Sequence, residues 1–258
     1  MENKFLIFIF VFAFGTIIGS FLNVVIYRLP RNISIVFPFS HCPKCGHKLR
    51  WYENIPVISY IFLKGKCSKC KTSISLRYPI VEILTGLSAS LSYLKWGISI
   101  DFAFNFVFLA LVIAISFIDL DFKIIPDELN LIGFLSGLIY SAIRADFSII
   151  DALLGSLVGA GFLFTIAYLY LKFRGIEGLG MGDVKLLAFF GSYLGSFGSL
   201  FVIFMGSVLG AIVGLILAYI NKTEDKAKFE IPFGPYLSIA AVLYLFFGET
   251  IKNWYLGV

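Results

Sequence analysis

Long apolar blocks, separated by short polar segments, run through the whole chain. Eight blocks can be delimited, at residues 5–26, 79–94, 102–118, 129–143, 150–171, 184–197, 200–220 and 232–248. A helix that crosses a bilayer needs about 20 predominantly apolar residues, and about 17 is the usual minimum. The pattern therefore predicts an all-α polytopic membrane protein with about eight transmembrane helices. Four blocks are short, and blocks six and seven can also form one helix broken near residues 195–199, which would reduce the count to seven.

The composition agrees with a membrane location. Apolar residues make up 59% of the chain and charged residues 14%, whereas a typical soluble domain has about 45–50% and about 25%. The first block is too long for the core of a signal peptide and no small-residue cleavage motif follows it, so we interpret it as a retained helix. The net charge of +5 does not by itself indicate binding to nucleic acid, because the positions of basic residues in a membrane protein report its orientation. We therefore expect no nucleic-acid partner.

Basic residues are concentrated in the segment between the first two apolar blocks. Positions 28–77 contain ten Lys and Arg residues but a single acidic residue, Glu53. The positive-inside rule places such a segment in the cytoplasm.

Alternation of the later helices then sets the side of every other loop. Three loops fall on the cytoplasmic side with the basic segment, and both termini fall outside: these loops are 119–128, 172–183 and 221–231. The last of them carries Lys222, Lys226 and Lys228 as well as acidic residues. We therefore predict three regions: a first transmembrane helix at 1–28, a small cytosolic loop domain at 29–78, and a transmembrane helical domain at 79–258.

All four cysteines lie in the predicted loop domain, in two C-x-x-C turns. They are Cys42, Cys45, Cys67 and Cys70. Two such turns offer four sulfurs to one tetrahedral ion, and the cytosol keeps thiols reduced. The spacing predicts a structural zinc site, a zinc knuckle, with iron left as an alternative. His41 and His47 flank the first turn, and we interpret them as bystanders.

Two acidic residues stand at the ends of apolar blocks, where a carboxylate in a membrane is costly. Asp119 ends block three, and Asp183 opens block six after a glycine-rich segment at 178–182. When two carboxylates share one water, one can take a proton from the water while the other donates to a peptide carbonyl. The pair therefore predicts aspartyl protease chemistry, and the glycines let an extended peptide approach the carboxyl groups.

Simpler roles stay open for the acidic residues. Asp121 and Asp127 follow Asp119 closely, and a solvated turn and a cap or first-turn position in the helix that Pro126 starts explain them at least as well. Asp183 can be an N-cap after a flexible loop. Two other functions also stay open: an ion-coupled membrane transporter with the intramembrane aspartates as proton carriers, and a zinc-bearing membrane scaffold without catalysis.

Several ordered motifs together resemble one family, the type IV prepilin peptidases, also called leader peptidase and N-methyltransferase. The resemblance covers nearly the whole chain. It rests on Gly19-Ser20-Phe21-Leu22-Asn23-Val24-Val25-Ile26-Tyr27-Arg28-Leu29-Pro30, the two cysteine turns, Glu53-Asn54-Ile55-Pro56, Arg77-Tyr78-Pro79 with Glu82, the stretch from Asp119 to Asp127, and Gly180-Met181-Gly182-Asp183.

The resemblance implies an intramembrane aspartyl protease of the G-x-G-D class, with Asp119 and Asp183 as catalytic acids and with Gly180 and Gly182 in an active-site loop. Such enzymes remove a basic leader from prepilins or pseudopilins, after a glycine, at the cytoplasmic face of the bacterial inner membrane. Many members then methylate the new amino terminus with S-adenosylmethionine, and this activity is attributed to the cytosolic region. The implied partners are prepilin or pseudopilin substrates and membrane lipid, and the implied cofactors are S-adenosylmethionine and structural zinc.

No glycine-rich nucleotide motif of the G-x-G-x-x-G type marks a methyl-donor site in the sequence. Five polar residues of the resembling motifs are candidates for methyl transfer or substrate binding: Asn23, Arg28, Glu53, Arg77 and Glu82. Arg77 and Glu82 can also simply pair with each other at the membrane surface.

Overall fold

A computed structural model describes residues 2–175, 180–221 and 232–257, and the regular elements in these ranges are helical. The prediction of an all-α chain is confirmed. The long helices and one short helix are α1 Glu2–Arg28, α2 Ile58–Phe62, α3 Arg77–Trp96, α4 Ile100–Phe122, α5 Asp127–Ile143, α6 Ile149–Arg174, α7 Met181–Asn221 and α8 Gly234–Leu256. Three residues named above, Lys222, Lys226 and Lys228, lie outside the described ranges, as do positions 178 and 179 of the glycine-rich segment.

Local sequence signals explain where the helices begin and end. Pro126 immediately precedes α5. Proline has no backbone N–H, so a helix that came before it could not run on through this position. Before α6, the Ser148 hydroxyl accepts from the backbone N–H of Asp151, while the Asp151 carboxylate accepts from the backbone N–H of Ser148, which is a reciprocal capping box. Gly175 ends α6 at φ 69°, a left-handed conformation that suits glycine.

Five helices in the described part of the chain are long and apolar enough to cross a membrane. These spans are Lys4–Arg31, Ile100–Phe122, Ile149–Arg174, Met181–Ile220 and Gly234–Tyr255. Helices α3 and α5, which correspond to two of the short apolar blocks, are not among them. The membrane character is therefore supported by length and composition, while the count of eight spans stays a prediction.

Helix α7 is interrupted at Gly195, where φ is 71° and ψ is −176°. A Cβ atom added to Gly159 of α6 would lie 3.1 Å from the carbonyl oxygen of Leu187 and 3.1 Å from the Cβ of Ser199. In a straight helix those two residues would be about 18 Å apart along the axis. The chain therefore turns back at Gly195, so residues before and after it lie side by side against α6, as the polar turn at 195–199 led us to expect.

The chain divides into two compact units, residues 1–114 and 115–258. In the first unit, α1 and α3 run antiparallel in close contact: Gly15 lies against Gly86, and Gly19 lies against Glu82. In the second unit, α7 packs on α5, α6 and α8. Small residues at these crossings let the helix backbones approach closely. The proposed boundaries at 28 and 78 stay predictions.

A pair of glycine substitutions in α6 measures how tightly the second unit is packed. An added Cβ at Gly155 would collide with the carbonyl of Gly191 and lie 2.6 Å from backbone atoms of Gly195, whereas at Gly161 nothing lies within 4 Å. We expect Gly155→Ala to lower the free energy of unfolding by at least about 1–3 kcal/mol. Gly161→Ala, the matched control, should leave it unchanged or raise it by up to about 1 kcal/mol, because alanine favours helix. Thermal unfolding in detergent measures both, and equal effects of the two substitutions would contradict the described packing.

Candidate functional site

Asp119 is buried near the carboxyl end of α4, with 5% of its surface exposed. Its Oδ2 accepts a hydrogen bond from the backbone N–H of Gly234 at 3.0 Å. A Cβ on Gly234 would lie 2.7 Å from the same oxygen, so only glycine lets the backbone approach the carboxyl group this closely. Gly234 is therefore a site residue that the sequence analysis missed, although Pro235 beside it signals a helix start.

Asp183 is the third residue of α7 and is 8% exposed. Because α7 begins at Met181, Asp183 lies within the first turn, and its backbone N–H donates to the carbonyl of Gly180 at 3.1 Å. The amino-terminal end of a helix favours negative charge. The Oδ1 atom of Asp183 is buried and has no hydrogen-bond partner within the described residues, so it can bond to a bound molecule.

The structure brings the two aspartates together. The Asp119 and Asp183 carboxyl groups interact electrostatically. Ile125 contacts both Gly182, which precedes Asp183, and Gly234, which binds Asp119. A Cβ atom added to Gly182 would lie 3.0 Å from Ile125, and one added to Gly234 would lie 3.3 Å from it. The carboxyl end of α4 and the amino ends of α7 and α8 thus meet at one site with two buried carboxyl groups.

The other acidic residues of the first motif are exposed. Asp121 lies on the surface. Asp127 begins α5, and both of its carboxylate oxygens accept from the Lys185 ammonium at 2.7 Å. The Asp127 side chain is 68% exposed and that of Lys185 is 48% exposed. Asp127 is the first residue of α5 and Pro126 occupies the N-cap position, so Asp127 lines the first helical turn and does not cap it. The ion pair joins the first turns of α5 and α7.

The four cysteines form one cluster, and their sulfur atoms all lie within 4.8 Å of one another. The Sγ atoms of Cys42 and Cys70 are 3.8 Å apart, and those of Cys45 and Cys67 are 4.0 Å apart. Tetrahedral zinc with Zn–S bonds of about 2.3 Å requires sulfur atoms about 3.8 Å apart. The cluster can therefore hold a metal ion, and the donor set of four thiolates fits zinc.

The two cysteine turns have the same local structure. In each, the backbone N–H of the first cysteine donates to a carbonyl five residues later: Cys42 to His47 and Cys67 to Thr72, both at 2.9 Å. The fourth residue after the first cysteine is left-handed in each turn, Gly46 at φ 68° and Lys71 at φ 58°. Backbone N–H groups of Cys70 and Lys69 lower the pKa of the Cys67 thiol to about 6, whereas, against a backbone hydrogen bond from His47, burial and the three neighbouring thiols raise the pKa of Cys45 to about 11. The thiolate form that metals bind is therefore favoured at Cys67 and disfavoured at Cys45.

Glu53 joins the two cysteine turns. Its carboxylate accepts from the backbone N–H of Arg50 at 2.7 Å and contacts His47 Nε2 at 3.2 Å, and the Ser68 side chain also donates to it. These contacts, led by the Arg50 N–H, hold the pKa of the Glu53 carboxyl below its usual value. His47 is therefore part of the connection between the turns and is more than the bystander the sequence suggested.

Three of the remaining candidates for methyl transfer bind the polypeptide backbone, and the fourth, Arg77, lies over an aromatic ring. Asn23 Nδ2 donates to the carbonyl of Tyr78 at 3.0 Å. The Arg28 guanidinium donates to the carbonyls of Ser34 at 3.0 Å and Pro38 at 2.7 Å. The Glu82 carboxylate accepts from the backbone N–H of Val57 at 2.7 Å, and the Arg77 guanidinium lies 5.4 Å from the ring centre of Tyr78.

Val57 shows how firmly this region is held. A β-branched residue at φ 62° is uncommon, and Ile58 N–H closes a tight turn with the carbonyl of Pro56 at 2.6 Å. The bond to Glu82 holds this strained conformation in place, and such strain persists only where the surroundings impose it. Glu82 and Arg28 therefore position the loop domain against the first unit's long helices.

A cavity of about 610 Å³ lies beside these anchors, between α1 and the loop that follows it. Its polar lining includes Ser20, Ser40 and Asn54, and its aromatic lining includes Phe39 and Trp51. Phe39 is 72% exposed and Trp51 is 80% exposed. The volume is that of a typical small-molecule site, and exposed aromatic faces at its wall can stack on a planar ligand.

Comparison with known protein families finds two family models that match this chain. Residues 13–96 match the family model described as the bacterial peptidase A24 N-terminal domain, and residues 106–215 match the type IV leader peptidase family. No solved structure matches the chain.

Three curated relatives illustrate the similarity, and each bears the name prepilin leader peptidase/N-methyltransferase. The protein of Aeromonas salmonicida is 35% identical, over 98% of this chain and 94% of the relative. That of Stutzerimonas stutzeri is 38% identical, over 94% and 91%, and that of Pseudomonas aeruginosa is 37% identical over the same shares. None of these descriptions supports the transporter alternative.

Proposed function

The chain belongs to the type IV leader peptidase family, and we propose that it is a membrane enzyme that removes the basic leader from prepilins or pseudopilins and then methylates the new amino terminus. The proposed catalytic acids are Asp119 and Asp183. The observation that carries the peptidase proposal is the pair of buried, interacting carboxyl groups at the meeting point of α4, α7 and α8.

The proposed chemistry follows from this arrangement. In a buried site, two neighbouring carboxyl groups favour a shared state with one proton between them. The ionised group takes a proton from water, the water attacks the peptide carbonyl, and the protonated group donates to the carbonyl oxygen. The two apparent titrations belong to the pair, so acid and base are not assigned to individual residues.

The position of the aspartates suits a substrate of mixed polarity. Both lie at helix ends of the second unit. We propose that this end faces the cytoplasm, because alternation of the apolar blocks along the sequence places the 119–128 and 172–183 loops on the cytoplasmic side. A prepilin joins a basic leader to an apolar helix. The helix can stay in lipid while the leader stays in water, so the bond to be cut lies at the boundary where the two carboxyl groups are.

We propose that the methyl donor binds in the cavity between α1 and its following loop. S-adenosylmethionine supplies the methyl group that passes to the new amino terminus. Phe39 and Trp51 offer aromatic faces for an adenine ring or a sulfonium cation, and Ser20, Ser40 and Asn54 offer hydrogen-bonding groups. Arg28 binds the Ser34 and Pro38 carbonyls and so holds one wall of the cavity in position.

Mass spectrometry of a prepilin incubated with the purified protein and S-adenosylmethionine tests both activities together. We expect loss of the leader mass, and a gain of one methyl group on the mature product only when the methyl donor is present. Leader removal without added methyl mass under any condition would retain the peptidase proposal and refute the methyltransferase proposal. No leader removal by the wild-type protein would refute the peptidase proposal.

Replacement of Trp51 tests the proposed methyl-donor cavity. Because Trp51 is 80% exposed, we expect Trp51→Ala to keep the fold but to weaken binding of S-adenosylhomocysteine about 3- to 10-fold, the loss of one aromatic stacking contact. Equilibrium dialysis with labelled ligand measures this without any turnover. Trp254→Ala removes a tryptophan that is 83% exposed in α8 and is the matched control. Equal binding by both variants would exclude this cavity.

A further inference from the structure

A groove lies between the first turns of α5 and α7. Its volume is about 440 Å³, and its wall is formed by the charged residues Asp127, Glu128 and Lys185, by Asn130, and by apolar side chains that include Leu131 and Phe134. It belongs entirely to the second unit. None of the roles described so far accounts for it.

Asn130 is the unusual member of the groove. It is 4% exposed, and neither its Nδ2 nor its Oδ1 has a hydrogen-bond partner within the described residues. Buried side-chain amides are nearly always bonded, so an unbonded one needs an explanation. On the next turn of the same helix, Gly133 packs against Phe189, which fixes the face of α5 that carries Asn130.

The side-chain amide of Asn130 defines the kind of group that would satisfy it. The amide has two donor hydrogens and an acceptor oxygen, and a peptide unit of an extended chain offers the complementary carbonyl and N–H. An extended chain leaves these groups unpaired and available. The wall of the groove therefore contains one unbonded amide suited to a peptide backbone, and this amide is itself almost fully buried.

The mouth of the groove is suited to a cation. Asp127 binds the Lys185 ammonium and Glu128 also lines the groove, so the three side chains leave one net negative charge. The Asp127–Lys185 pair is exposed, with side chains 68% and 48% accessible, and exposed ion pairs exchange partners readily because their net strength is small. A lysine or arginine of a bound peptide can take a share of the two carboxylates.

The groove also lies close to the proposed catalytic acids along the chain. Asp183 precedes Lys185 by two residues of α7, an axial distance of about 3 Å. Ile125, which lies against Gly182 and Gly234 at the acid site, precedes Asp127 by two residues. Asp183 and Lys185 point to opposite faces of α7, but both lie within its first turns. An extended peptide advances about 3.3 Å per residue, so a few residues of substrate would pass around the amino end of α7 from the acids to the groove.

We infer that this groove binds the leader of the substrate as an extended, basic peptide, with Asn130 paired to one backbone peptide unit and with Asp127 and Glu128 receiving a lysine or arginine side chain. The inference rests on the proposed peptidase function, and it assigns Asn130 as a substrate-binding residue. A lipid headgroup is the alternative occupant that the experiments must exclude.

The test is Asn130→Leu, measured in the full-length protein with a prepilin substrate. Leucine has a similar size and removes a polar group that has no partner, so we expect an unchanged or higher Tm together with a KM about tenfold higher and a smaller change in kcat. Asn105→Leu replaces a buried asparagine that does have a partner within the protein. This control should lower Tm and leave KM unchanged.

A second arm tests the charges. Glu128→Lys should raise KM for a substrate with the natural basic leader, and a substrate whose leader carries glutamate in place of lysine should restore it in that variant. This rescue depends on charge complementarity alone, so a general loss of structure could not produce it.

The outcomes distinguish failure of the proposed peptidase function from failure of the proposed groove. Absence of cleavage by the wild-type protein refutes the proposed function itself. Normal cleavage by the wild-type protein with an unchanged KM in Asn130→Leu refutes the groove while the function stands. A lower Tm in Asn130→Leu also refutes it, because the amide would then be bonded inside the protein. An unchanged KM with reduced phospholipid retained on the purified variant would assign the groove to a lipid headgroup.

Discussion

Asp119→Asn and Asp183→Asn are each expected to reduce leader cleavage by at least about 10³-fold, because general acid–base catalysis by a positioned group contributes about 10²–10⁴ and each substitution disables both members of the pair. Asparagine has almost the same shape as aspartate but cannot take up or release a proton at neutral pH. The loss is therefore expected in the chemical step, with KM little changed.

The surroundings make these substitutions informative. At position 119, the asparagine side-chain oxygen can still accept from the Gly234 N–H, which donates to Asp119 Oδ2 at 3.0 Å in the wild-type protein. At position 183, an asparagine replaces a buried carboxyl group whose Oδ1 has no partner in the described part of the chain. Both variants should insert and fold, so the lost activity reports chemistry.

Mass spectrometry of the products over time, with equal amounts of each variant in detergent, measures the cleavage rates. Asp146→Asn is the matched control: its side chain is 68% exposed and pairs with Arg144 just beyond the far end of α5. That variant should cleave at the wild-type rate. Wild-type rates from both Asp119→Asn and Asp183→Asn would end the assignment of these residues as the catalytic pair.

The acid pair could be predicted because its signal is local. A carboxylate at the end of an apolar block, or after a run of glycines, is visible in a single sequence. Gly234 could not be found in this way, since it meets Asp119 across 115 positions of the chain and only the folded structure reveals that contact. Asn130 is visible in the sequence as an amide within an apolar block, but its burial and its lack of a partner among the described residues appear only in the structure.

The polar candidates near the loop domain illustrate a different limit. Asn23, Arg28 and Glu82 were selected for chemistry, yet each binds backbone groups of the loop or of the helix start that follows it. The residue type is the same whether a side chain binds a ligand or a carbonyl, so sequence alone could not separate the two roles. The same limit applies to Gly195, where the turn was expected but only the contacts of Gly159 with both halves of α7 establish the reversal.

We expect the four cysteines to hold a metal ion, and we expect its removal to unfold the loop that contains them and abolish methylation while leader cleavage continues. Between positions 32 and 78, only Cys42, Glu53, Gly65 and Cys67 are buried. A region with so small a core cannot hold its structure by apolar packing. Structural zinc sites contribute about 10–16 kcal/mol of apparent binding free energy at neutral pH, so the ion would supply most of the stability here.

The expected selectivity follows from where the groups lie. The cysteines belong to residues 1–114, whereas Asp119, Asp183 and Gly234 belong to residues 115–258. Loss of the metal removes the connection that Glu53 makes between the cysteine turns, because His47 and Ser68 would no longer be held near it. The proposed methyl-donor cavity shares this loop, since Trp51 and Asn54 flank Glu53.

Cys42→Ser provides the genetic form of this experiment, and a strong chelator followed by added zinc provides the reversible one. We expect about one zinc ion per chain in the wild-type protein by elemental analysis and a large loss in Cys42→Ser. Trypsin should then cut within the loop, which contains Lys44, Lys48, Lys64, Lys66, Lys69 and Lys71. Lys44→Gln, which alters an exposed residue between two ligands, should keep the metal. Unchanged trypsin resistance and methylation in Cys42→Ser would contradict a structural metal site, and equal loss of cleavage and methylation would point to unfolding beyond the loop.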